Sequence, residues 1–124
     1  MKPALRVMLC DDAGERFFGE GPCRLLHLIE ETGSLRAAAI SMGMAYTKAL
    51  TIMKRAEKNL GFPLTARRIG GKGGGGSALT PEAKEFLHDH ETYRNACIQS
   101  SRELYSQIFS KYTADGSSGK SVRP

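Results

Sequence analysis

Thr47, Lys48, Thr51, Lys54, Arg55 and Lys58 recur at steps that place them on one face of a helix, and no acid shares that face. Hydroxyls and cations so arranged can donate hydrogen bonds to base edges and to phosphates. A solvated helix face normally mixes signs, because like charges one turn apart repel. The surrounding charge agrees. The 124 residues carry 18 Lys and Arg against 13 Asp and Glu, a net of +5. Residues 1–32 have a net of −2 and residues 73–124 balance, whereas residues 33–72 hold eight basic residues against Glu57 alone, a net of +7. A basic excess confined to one segment predicts a polyanionic partner.

Other chemistry tests negative. Gly71-x-Gly73-x-x-Gly76 has the letters of a dinucleotide fingerprint, but that motif needs a helix opening at its glycines, and here Ser77-Ala78-Leu79 follows. A phosphate-binding P-loop fails because Lys72 precedes Gly73 rather than Ser or Thr. No nucleophile motif occurs, so no catalytic residue and no cofactor is expected. Cys10, Cys23 and Cys97 are odd in number and form no C-x-x-C pair, against a disulfide framework or zinc finger. Their apolar neighbours predict buried, reduced thiols. Cys23 and His27 share a helix face at i, i+4, and His88 lies near His90, but a metal site needs three or four converging ligands, and none is expected.

The elements that must position the cationic face follow from punctuation and periodicity. Leu5–Cys10, a turn at Asp11–Gly14, and Arg16–Phe18 predict a hairpin. Gly19–Pro22 breaks it, and Cys23–Thr32 reads as a helix closed by Gly33. Ser34 caps a short, alanine-rich helix to Met42, Gly43 makes the turn, and a longer helix runs from about Ala45 to Leu60. Ala49, Ile52, Met53, Ala56 and Leu60 form its apolar stripe, opposite the cationic face. Leu64–Ile69, the glycine-rich tip and Ser77–Thr80 predict a second hairpin, which behind a helix-turn-helix is a wing. Thr80 and Pro81 open a last helix reaching about Tyr112, roughly 32 residues or ~48 Å.

The fold class expected is therefore mainly α with small β-hairpins, a winged helix-turn-helix with a long C-terminal dimerisation helix. Its parts are a DNA-binding domain with N-terminal hairpin over 1–80, the long helix over 81–112, and a disordered Gly/Ser-rich tail over 113–124. The long helix overreaches a core of about 80 residues, so its stripe of Phe86, Leu87, His90, Tyr93, Cys97, Leu104, Tyr105 and Ile108 is assigned to a second copy of the chain.

The runs Glu31–Ala39, Met42–Leu50 and Leu64–Thr80, above all Gly70-Gly-Lys-Gly-Gly-Gly-Gly76 before Ala78-Leu-Thr80, resemble the N-terminal DNA-binding domain of ModE-type regulators. That winged-helix domain is related to that of LysR-type regulators. The resemblance covers roughly residues 21–112. It implies a helix-turn-helix over Ser34–Leu60, a wing over Leu64–Leu79, a dimer contact on the last helix, and an accessory role for residues 4–18. ModE-type regulators usually carry C-terminal oxyanion-binding domains that sense molybdate; 124 residues leave no room for one, so oxyanion sensing is not expected. The family tends to have Ser where this chain has Ala45 and an aromatic where it has Leu50.

Together these readings predict a prokaryotic, cytoplasmic, homodimeric regulator of transcription that binds double-stranded DNA at an inverted repeat. Tyr46, Thr47, Lys48 and Thr51 are the base-edge candidates, and Lys54, Arg55 and Lys58 the phosphate candidates. Arg67, Arg68 and Lys72 belong to the wing, where strand alternation turns the two arginines to opposite faces. Ser34 is either a plain N-cap or a phosphate contact. Two rivals stay open: a protein-interaction module that sets its basic face on an acidic partner, and a thiol- or metal-responsive regulator using Cys23, His27 or Cys97. No membrane contact is expected.

Overall fold

The computed structural model describes residues 1–68 and 76–113, so the wing tip with Lys72 and the expected tail lie outside the described residues. The chain is a winged helix. In order it forms β1 (Leu9–Cys10), β2 (Arg16–Phe18), α1 (Glu20–Thr32), α2 (Leu35–Ser41), α3 (Tyr46–Leu60), β3 (Thr65–Arg67), β4 (Ser77–Leu79) and α4 (Pro81–Phe109), with a 3₁₀ turn at Ser110–Tyr112. It divides into two compact units: Met8–Asp89, and Met1–Val7 with the described residues from His90 onward.

The first unit is built on α1. Its Leu25, Leu26 and Ile29 are fully buried, each worth roughly 1.5–3 kcal/mol relative to exposure. Against them lie Ala38 and Ala39 of α2 and Ala49, Met53 and Ala56 of α3. The small α2 residues let the helices approach closely. Gly33 ends α1 in the left-handed region (φ 77°), its N–H bonded to Ile29 O at 2.7 Å. The Thr32 hydroxyl donates to Leu28 O. Gly43 (φ 68°) makes the turn between α2 and α3.

Both hairpins are antiparallel pairs. In the wing, Thr65 faces Leu79, Ala66 faces Ala78 and Arg67 faces Ser77. Its base is tied down on two sides. The Leu64 N–H donates to Glu57 Oε2 at 2.8 Å, and the Thr80 hydroxyl donates to Pro63 O at 2.8 Å while accepting from Ala83 N–H to cap α4.

Four sequence expectations are corrected. The first strand begins at Leu9 rather than Leu5, because the three residues of β2 leave Leu5–Met8 no ladder to join. Helix α1 begins at Glu20, not Cys23. Pro22 stands in its first turn, where the missing N–H leaves no bond unmade. Cys10 is exposed at the hairpin turn, while Cys23 is buried and Cys97 half-buried.

The fourth concerns α4. Phe86 packs edge-on to Phe18 (4.8 Å) and Phe62 (6.5 Å), and Leu87 is buried in the core of the same unit. Leu87 has almost no surface left for another chain, while Phe86 keeps part of its own. His90 is also buried. Further along, Tyr93, Leu104 and Ile108 are each more than half exposed. In the second unit, the Tyr105 hydroxyl donates to Met1 O at 3.0 Å, its ring stacks on Phe109, and an apolar groove of about 600 Å³ is lined by Pro3, Leu5, Tyr93, Cys97, Leu104 and Ile108. No helix among the described residues is long and apolar enough to cross a membrane.

Candidate nucleic-acid interface

The face of α3 is set by what the opposite face buries. With Ala49, Met53 and Ala56 committed to the core, the helical period turns Thr47, Lys48, Thr51, Lys54, Arg55 and Lys58 outward, and all six are exposed. Glu57, the carboxylate of this helix, is turned toward the wing and held by the Leu64 N–H. The outer face thus keeps one sign. Thr51 donates its hydroxyl proton to Thr47 O at 3.0 Å, so toward a ligand it offers an acceptor and a methyl group. Ala45 supplies no side-chain cap, which leaves the first N–H groups of α3 without a side-chain acceptor.

Ser34 caps α2: its Oγ accepts from the Ala37 N–H at 3.0 Å. Its neighbour Arg36, outside the set singled out from sequence, lays its guanidinium 4.2 Å from the centre of the Tyr46 ring. Cation–π attraction acts within ~6 Å of a ring centre, so the pair links the start of α2 to the start of α3. Both line a polar recess of about 310 Å³ with Ser34, Thr65, Arg67 and Ser77. Only an i-to-far-j contact makes Arg36 part of this group, so periodicity within one helix had no means of finding it.

The two wing arginines part ways. Arg67 lines the recess. Arg68 lies over the end of α1, where a Cβ added at Gly33 would sit 2.8 Å from Arg68 Nη1. A cation beside the exposed carbonyls of a helix C-terminus is favourably placed. The wing is also locked to that turn through its backbone, with Ser77 N–H donating to Gly33 O at 2.8 Å.

At the other end of α3 a second recess brings Thr51, Lys54, Arg55 and Lys58 together with Asp11 and Glu15 of the first hairpin turn. Asp11 is already used there, its Oδ1 accepting from the Ala13 and Glu15 N–H groups.

No family model matches the chain. Among curated proteins it is similar to a molybdenum transport protein ModE of Herbaspirillum seropedicae, 36% identical over 95 residues that cover 65% of this chain and 34% of the relative. A transcriptional regulator ModE of Haemophilus influenzae is 39% identical over 64 residues, 52% of this chain and 25% of the relative. Over the matched stretch the chain is ModE-like. A molybdenum-pterin-binding protein MopB of Rhodobacter capsulatus is 36% identical over 82 residues, covering 66% of this chain and 30% of that protein. The chain spans about a third of the length of these relatives or less.

Proposed function

We propose that this protein binds double-stranded DNA and regulates transcription, setting α3 in the major groove and the wing on the flanking backbone. The observation that carries the reading is the outer face of α3: six exposed hydroxyls and cations, with Glu57 drawn off to the Leu64 N–H. Lys48, nearest the exposed start, reads base edges with Thr47, while Lys54, Arg55 and Lys58 meet phosphates. The similarity to a protein named a transcriptional regulator supports the same class.

The protein acts as a homodimer through the exposed face of α4 from Tyr93 onward, where Tyr93, Leu104 and Ile108 present apolar surface. Two recognition helices then meet half-sites about one DNA turn (~34 Å), or a multiple of it, apart.

Titration of a fluorescent random-sequence duplex tests the central reading. Binding is expected to weaken steeply as salt rises, since each neutralised phosphate returns condensed counterions. Absence of salt-sensitive duplex binding, with retention on an acidic protein instead, would move the function to protein interaction. Sedimentation equilibrium tests the dimer: the unaltered chain is expected as a dimer at micromolar concentration and Ile108→Glu as a monomer, whereas a monomeric unaltered chain contradicts it.

A further inference from the structure

The recess at the start of α3 gathers two guanidinium groups, Arg36 and Arg67, with the hydroxyls of Ser34, Tyr46, Thr65 and Ser77, and no carboxylate among the described residues lines it. That composition is unusual for a surface hollow. Two cations facing one space repel, and among the described residues no carboxylate in the recess offsets them. Arg36 is exposed and long, so leaving it free in solvent would retain its rotamer entropy. It lies instead over the Tyr46 ring at 4.2 Å, which orders the guanidinium beside the recess before any ligand arrives. The wall opposite is equally fixed. Arg67 faces Ser77 across the β3–β4 ladder, and Ser77 N–H is bonded to Gly33 O at 2.8 Å. Arg68 is folded over Gly33 and does not line the space.

We infer that Arg36 and Arg67 close on one phosphodiester of duplex DNA at the start of α3, and that Tyr46 is the platform that holds Arg36 rather than a base reader. The inference rests on the DNA-binding reading above and adds to it a residue, Arg36, and a changed role for Tyr46. A phosphodiester fits for three reasons. The planar guanidinium fork matches two phosphate oxygens. The hydroxyls can donate to the same oxygens. The recess lies beside the first turn of α3, between that helix and the wing, where the sugar–phosphate backbone runs when α3 occupies the groove.

The test measures affinity for a random duplex across a salt series, with melting curves confirming that each variant folds. Arg36→Ala and Arg67→Ala are each expected to weaken all sequences alike by ~5–10-fold and to lower the log–log salt slope by about one. The double variant is expected to lose little beyond either single variant, in affinity and in slope, because one phosphate serves both residues. Tyr46→Phe keeps the platform and removes one hydroxyl donor, so it is expected to weaken binding by about twofold or less with unchanged sequence preference, whereas Tyr46→Leu is expected to behave like Arg36→Ala. An unchanged affinity and salt slope in folded Arg36→Ala, while the unaltered protein binds DNA, overturns the clamp and leaves the DNA reading standing. Altered base preference in Tyr46→Phe overturns the platform role. Saturable binding of inorganic phosphate alone, abolished in Arg36→Ala with duplex affinity unchanged, overturns the diester in favour of a free oxyanion. Absence of salt-sensitive duplex binding by the unaltered protein removes the DNA reading and the clamp with it.

Discussion

Helix α3 carries cations along its whole outer face, yet its two ends have different company. At the start, Arg36 and Arg67 line a recess with four hydroxyl groups and, among the described residues, no carboxylate. At the end, Lys54, Arg55 and Lys58 share their recess with Asp11 and Glu15 of the first hairpin. Counting charge along the helix favours the end, with Lys54, Arg55 and Lys58 against Lys48 at the start; counting neighbours reverses this and makes the start the stronger anion site. A binding face is therefore a property of the elements that surround a helix as much as of the helix. The hairpin over residues 8–18 acquires a role on this view, since its turn tempers the cations at one end and concentrates attraction at the other.

The largest way to break this contrast is to unseat the wing from the start of α3. A Cβ at Gly76 would lie 2.8 Å from Gly33 O, and the residue holds φ 142°, a region side chains rarely adopt. Gly76→Ala is expected to cost about 2 kcal/mol of stability or more, read by urea unfolding, and to erase the affinity advantage of the start. Next in size is the loss of sequence reading. Lys48→Ala is expected to relax preference by ~1–3 kcal/mol at one base position, whereas Lys58→Ala should weaken all duplexes alike. Equal, sequence-blind losses in both would contradict the division of labour along α3.

Thr80→Ala sharpens the comparison from the wing's other side. It removes the α4 cap and the bond to Pro63 O. A loss of ~1 kcal/mol in thermal stability is expected, with the salt slope of DNA binding unchanged. The smallest change tests the end of α3 itself: Glu15→Gln should raise affinity for all duplexes by about twofold or less, as fits an exposed charge in solvent. Acidification separates fold from interface. Burial lowers the His90 pKa below the ordinary 6.5, Arg94 lowers it further, and Glu91 opposes them. The unfolded chain therefore binds this proton first, and stability is lost as pH falls below about 6.5. Arginine and lysine keep their charge there, so a fall in melting temperature without a fall in salt slope is expected from a pH series.

Much of this was legible in the chain. Ser34, Gly43 and Gly61 mark helix ends by local chemistry, and the stripe of Ala49, Met53 and Ala56 follows from a period within one element, so α2, α3 and the exposure of Lys48 to Lys58 were all readable. What escaped depends on contacts far apart in sequence. Arg36 joins the interface only because α3 brings Tyr46 beneath it, and Glu57 leaves the cationic face only because Leu64 offers an N–H. Helix α4 shows the same division: its apolar repeat was plain, but Phe86 and Leu87 could be given to the chain's own core only once Phe18 and Phe62 were seen against Phe86.

The central claim, that α3 reads duplex DNA, is tested most directly by selection from a random duplex pool, followed by sequencing of what the unaltered protein retains. The account predicts an enriched inverted repeat with half-sites about one turn (~10 base pairs) or a multiple apart. Recovery of a pool no different from the input would contradict it.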